Sequence, residues 1–138
     1  MFERILVACD GSEPSSRALE RAAELAVFSS GEVRVLHVRE EHFVGRAGPI
    51  PSEGHDAAVK IVDDAIARIG QSGAVATGTV RASLSGRVAV EIVDEALEWD
   101  ASVIVVGSRG LTEIASLILG STTHKVLHLS KLPVLVVP

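Results

Sequence analysis

Arg4-Ile5-Leu6-Val7-Ala8-Cys9-Asp10-Gly11-Ser12 decides the fold: a short aliphatic run halts on three residues that favour turns and helix caps. Arg4 to Cys9 therefore reads as a buried strand. The next stretch has the helical period. Pro14 suits a first helical turn, Ala18, Leu19, Ala22, Leu25 and Ala26 recur at three- and four-residue spacing, and Gly31 offers a stop. A strand that runs straight into a helix is the first half of a parallel crossover unit.

The alternation continues outward from there. Val33 to Val38 reads as a second strand, leading into an irregular connection from Arg39 to Ser52 that carries Gly45, Gly48, Pro49 and Pro51. Ala58, Ile61, Val62, Ala65, Ile66 and Ile69 form a helical stripe closed by Gly70 and Gly73. Ala74 to Ala82 is a weaker third strand, and Val88 to Trp99 is a third helix with Val88, Ile92, Val93, Ala96 and Leu97 on one side. Ser102 to Val106 is a fourth strand, Ser121 to Leu129 the last helix and Pro133 to Val137 the fifth strand.

Right-handed crossovers between these strands give one α/β domain over residues 1–138. The expected architecture is a doubly wound, five-stranded parallel sheet in the order 3-2-1-4-5, with helices on both faces. In that order the chain winds outward from strand one, returns, and starts again at strand four. Ligands of such sheets sit outside the carboxyl ends of the strands at this switch point. The loops Asp10 to Ser15 and Gly107 to Thr122 are therefore the ones to inspect.

A chain of 138 residues buries about two thirds of its unfolded surface, enough for one core. Hydrophobic residues make up 47% but aromatics only 3%, so the core is built from Val, Ile, Leu and Ala, as expected of strands covered on both faces. A net charge of -5, with no dense run of Lys or Arg, speaks against a nucleic-acid partner. No apolar stretch approaches the roughly 20 residues that cross a bilayer. Met1-Phe2-Glu3-Arg4 lacks the basic lead-in of a signal segment, so no membrane association and a cytoplasmic location are expected. The single cysteine, Cys9, cannot form an intramolecular disulfide and reads as a small buried hydrophobe.

The second switch-point loop reads Gly107-Ser108-Arg109-Gly110, then nine residues, then Gly120-Ser121-Thr122 at a helix start. Glycines let backbone amides approach a ligand, and a helix N-terminus offers unpaired N–H groups at the positive end of a dipole. That is a phosphate cradle, with hydroxyl donors from Ser121 and Thr122. The Gly-Lys-Ser of a P-loop is absent from the sequence.

Gly-x2-Gly-x9-Gly-Ser, matched by Gly107, Gly110, Gly120 and Ser121, resembles the motif of the ATP-binding branch of the universal stress protein family. Ile5 to Ser12, Leu36-His37-Val38, Val103 to Gly110 and Pro133 to Val137 are also similar to that family, so the resemblance covers nearly the whole chain. It implies ATP as the ligand, with Mg²⁺ bound through the phosphates. It implies further that Asp10 and Gly107 lie against the ribose, that Val38 pairs with adenine through its backbone, and that Ala8 lines the adenine pocket. Gly110, Gly120, Ser121 and Thr122 would hold the phosphates. Thr122 is the one departure, standing where the family often has a small apolar residue. Arg109 either closes over the phosphates or points to water. The resemblance also implies a homodimer through antiparallel pairing of the last strand, Pro133 to Val137, an edge strand that is a liability unless covered.

Plainer roles stand beside these. Asp10-Gly11-Ser12 is also a strand-end turn with a helix cap. His124 and His128 share a helix face without a third metal ligand nearby in sequence, which favours a solvated or packed face. His37 reads as a satisfied core or pocket-edge histidine, and Cys9 as core and not a nucleophile. The expected function is an ATP-binding regulator or sensor of stress and not a fast enzyme, leaving slow hydrolysis open. The rivals are a structural dimer module, an adenylate-transferring enzyme and a flavin-binding electron carrier.

Overall fold

Ile5, Leu6 and Val7 are fully buried in strand β1 (Arg4–Ala8), their side chains alternating between two helical layers. The computed structural model describes residues 1–43, 45–51, 54–109 and 119–138. Strands β2 (Glu32–Phe43) and β5 (Val103–Gly107) flank β1, both parallel to it. Strand β4 (Val75–Leu84) pairs beyond β2, and β6 (Val134–Val137) beyond β5. The five parallel strands thus run third, second, first, fourth, fifth, as the alternation predicts.

Helices α1 (Glu13–Ser29) and α2 (His55–Gly70) cover one face, over Ile5, Val7, Val33, Val35, Val103 and Val105. Helices α3 (Val88–Glu98) and α4 (Ser121–Leu129) cover the other, over Leu6, Leu36, Ile104 and Val106. Beyond the apolar core, α3 is fastened to the sheet by charge. Arg81 of β4 pairs with Glu91, Glu95 and Glu98, and Trp99 carries the guanidinium groups of Arg34 and Arg4 at 4.7 and 5.6 Å from its ring centre.

The stretch expected to be irregular is ordered in part. Strand β2 continues to Phe43, a 3₁₀ turn spans Gly45–Ala47, and β3 (Pro49–Pro51) folds back antiparallel to β2. Pro49 and Pro51 leave Ile50 as the single ladder donor of this three-residue strand, so β3 offers little for a further strand to pair with. The stop of α1 also differs from expectation: Ser30 takes the left-handed conformation at φ 54°. Gly31 is needed for another reason, because a Cβ there would run into the Phe2 carbonyl. The fifth strand begins at Val134 and not at Pro133, since proline cannot donate to the ladder.

Candidate functional site

The cleft begins where β1 ends. Its last registered pair is Ala8 with Leu36, and the chain then turns away through Asp10. Asp10 Oδ1 accepts the Ser12 N–H at 2.9 Å, the Ser12 hydroxyl caps α1 by accepting the Ser15 N–H at 3.3 Å, and the Ser15 hydroxyl donates to the Ser12 carbonyl at 3.0 Å. The turn that holds the Asp10 carboxylate is therefore fixed from both sides.

Strand β2 runs on past this exit. Glu41 is in register with Leu84 on one side and with Pro51 on the other, so β3 lies on the same edge of β2 that β1 occupies lower down. Among the described residues, that edge is opposite neither β1 nor β3 between Leu36 and Glu41. The Leu36 carbonyl accepts the Cys9 N–H at 2.9 Å, and backbone groups two residues apart point the same way, so the Val38 peptide groups face the gap. His37 closes the inner side: its Nδ1–H donates to the Cys9 carbonyl at 2.7 Å in a buried position.

The opposite wall is the end of β5 and the start of α4. A Cβ at Gly107 would sit 2.8 to 2.9 Å from the backbone and ring of Pro14, so only glycine lets the first turn of α1 lie against this strand end. The Ser108 N–H donates to the Val137 carbonyl at 2.8 Å, and the Gly120 N–H donates to the Ser108 carbonyl at 2.7 Å. The buried Thr123 hydroxyl donates to the Gly107 carbonyl at 2.6 Å. These bonds fasten α4 to the strand. Its N-cap is Gly120, which has no side chain to satisfy the orphan N–H groups of the first turn.

The walls enclose a cavity of about 720 Å³, and it gathers Ala8, Asp10, Val38, Gly107, Arg109, Gly120, Ser121 and Thr122. Of the residues expected from the sequence, Gly110 alone lies outside the described residues. Cys9 and His37 also reach the cavity. Burial pushes the Cys9 thiol above its ordinary range, so it is a poor nucleophile at neutral pH. His124 and His128 are exposed on α4.

Several lining residues were not expected. Val88, Ala89 and Ile92 of α3 form an apolar wall, and Glu40, His42, Thr123 and Lys125 also line the space. Lys125 lies four residues beyond Ser121, hence on the same helix face, which is a signal present in the sequence. The α3 residues carry no such signal, because the same apolar stripe serves both core and cavity.

Chemically the cleft is asymmetric. On the β5 and α4 side it offers Arg109, Lys125, two hydroxyls and a helix start to an anion. On the β1 and β2 side it offers the Asp10 carboxylate, an open peptide edge and an aliphatic wall, which suit a hydroxylated and flat group.

Comparison with known proteins places the whole chain in one family. The universal stress protein YxiE of Bacillus subtilis (strain 168) is 38% identical, the match covering 99% of each chain. Among solved structures, the universal stress protein from Archaeoglobus fulgidus in complex with dAMP superposes with a TM-score of 0.74 at 26% identity, covering 99% of this chain and 98% of that one. A universal stress protein in complex with cAMP superposes with a TM-score of 0.70 at 29% identity, covering 99% and 96%. The model of the universal stress protein family matches residues 1–138, and the chain belongs to that family.

Proposed function

We propose that the cleft binds an adenine nucleotide, ATP with Mg²⁺ carried on its phosphates, and that the protein acts as a regulator or sensor whose state follows nucleotide occupancy. One observation carries the reading: an open peptide edge at Val38 and an uncapped helix start at Gly120 bound the same 720 Å³ cavity. A planar base with adjacent donor and acceptor fits the first, and phosphates fit the second. The two structural relatives described as complexes with dAMP and cAMP support the choice of adenine.

In this reading the Val38 peptide pairs with the base beside Ala8, Asp10 accepts from ribose hydroxyls, and Gly107 lies next to the sugar. Gly110, the amides from Gly120 to Thr122, and the Ser121 and Thr122 hydroxyls hold the phosphates, with Arg109 closing over them. The role is binding, not turnover, which would also require an oriented water and charge stabilisation at the terminal phosphate. A cytoplasmic homodimer completes the proposal, with two copies of β6 pairing antiparallel; Leu135 on that edge strand is exposed. No helix among the described residues is long and apolar enough to cross a membrane.

The test is mass spectrometry of the small molecules released on denaturing the purified protein, and then calorimetry with ATP, ADP and AMP. Release of an adenine nucleotide and saturable binding are expected. A protein that releases none and binds none would be a structural dimer module, and flavin bands in its visible spectrum would point to an electron carrier.

A further inference from the structure

Arg81 stands outside the cavity yet next to its most specific edge. On β4 it is in register with Val38 of β2, and its side chain lies on the face of the sheet that α3 covers. Its Nε donates to Glu91 Oε2 at 2.7 Å, and its Nη1 donates to Glu98 at 3.3 Å and lies 3.8 Å from Glu95. Glu91 belongs to the first turn of α3, beside Ile92 and one turn from Val88, both of which line the cavity.

The two ends of α3 are held differently. Its C-terminal end has anchors besides Arg81: the guanidinium groups of Arg34 and Arg4 lie over Trp99, the Arg4 Nη1 donates to the Trp99 carbonyl at 2.7 Å, and Glu95 has Arg34 at 3.9 Å. The N-terminal end has no side-chain cap, its N-cap residue being Arg87 at φ −112°. A charge-assisted bond to a carboxylate in that first turn is a strong way to fix an uncapped helix start.

We infer that Arg81 is a positioning residue of the nucleotide cleft, tying the first turn of α3 to the sheet and so setting the spacing between the wall of Val88, Ala89 and Ile92 and the peptide edge at Val38. The inference rests on the reading of the cleft as a nucleotide site. It assigns the pair Arg81–Glu91 to the base half of the cavity and not to the phosphate half, which belongs to β5 and α4. Losing the pair frees the cleft end of α3 while Trp99 keeps the other end in place.

Calorimetry on the full chain with AMP and with ATP, for wild type, Arg81→Met and Glu91→Gln, tests this. Each variant is expected to lose about fivefold in affinity for both nucleotides, the worth of a partly buried ion pair, with the ATP to AMP affinity ratio unchanged. The double variant should lose no more than either single one. Should Arg81→Met fail to fold, Glu91→Gln, which keeps size and shape, carries the same test. Unchanged affinities in folded variants overturn the inference, as does a loss for ATP much larger than for AMP, which would place the effect at the phosphates. A wild-type protein that binds neither nucleotide removes the underlying reading instead, so the two failures are distinguishable.

Discussion

Replacing Thr123 by Val removes one hydroxyl, keeps the shape of the side chain, and asks whether α4 is a cradle or a packing element. Thr123 is only 4% exposed, and its hydroxyl donates to the Gly107 carbonyl at 2.6 Å, joining the first glycine of the motif to the helix that begins at Gly120. The substitution leaves the part-buried Gly107 carbonyl without this donor, and the cost is that of an orphaned acceptor, about 1–3 kcal/mol. Taking about 2 kcal/mol and about 4 °C per kcal/mol for a chain of this length, Tm should fall by about 8 °C. The binding effect should be selective. The first turn of α4 loses its side-chain bond to β5 and keeps only the Gly120 N–H to the Ser108 carbonyl, so ATP affinity should drop about tenfold while adenosine stays within about twofold. Thr123→Ser keeps the hydroxyl and should recover most of both losses. Thermal denaturation and calorimetry with the two ligands read this out. A folded Thr123→Val protein with wild-type ATP affinity, or one that loses ATP and adenosine equally, would refute the assignment of phosphates to this helix start.

Asp10→Ala should weaken AMP and ATP by the same amount, about 1–3 kcal/mol, because a ribose contact does not involve the terminal phosphates; calorimetry showing a loss for ATP alone would mean that Asp10 acts through the metal. For Cys9, burial raises the thiol above its ordinary 9.0, so the neutral form is favoured in the folded state. Its contribution to stability is then complete below that ordinary value and is lost as pH rises through the raised one. Urea titrations across alkaline pH should show this loss in wild type and less of it in Cys9→Ala, and a thiol reagent at pH 8 should react with Cys9 only in the unfolded chain. Leu135→Pro removes a ladder donor from β6 and should convert a dimer to a folded monomer in light scattering; a variant that stays dimeric would show that the edge of β6 is not the interface.

The fold was legible because its strands and helices announce themselves by different patterns. Ile5 to Val7 and Val103 to Val106 are continuous apolar segments bounded by turn residues, and both are buried on two faces. Strand β4 was less visible because it lies at the sheet edge, where Thr77, Gly78, Thr79 and Arg81 interrupt the apolar pattern without harm. The length of β2 was hidden for a related reason. Its last residues are Arg39, Glu40, Glu41, His42 and Phe43, a polar run that local propensity does not favour as a strand. Pairing with β4 along one edge and with β3 along the other supplies the hydrogen bonds that its side chains do not predict.

The site divides along the same line. The glycine spacing and the helix start are local features of the sequence, and Gly107, Gly120 and Ser121 all line the cavity. Ala8 and Val38, which also line it, follow from the family resemblance and not from local pattern, because the gap beside them depends on registers between segments far apart in the chain. Among the described residues, the gap at Val38 lies between the last β1 pair at Ala8 and the β3 pair at Glu41, and neither end is written in the residues around Val38. The wall from α3 is held by Arg81, and no local pattern couples that arginine to Glu91 ten residues later. In the proposed reading, a glycine motif specifies where an anion is held. Which group is attached to that anion is decided by strand lengths and by how firmly α3 is fastened, and substitutions in those elements should alter base affinity while leaving the motif intact.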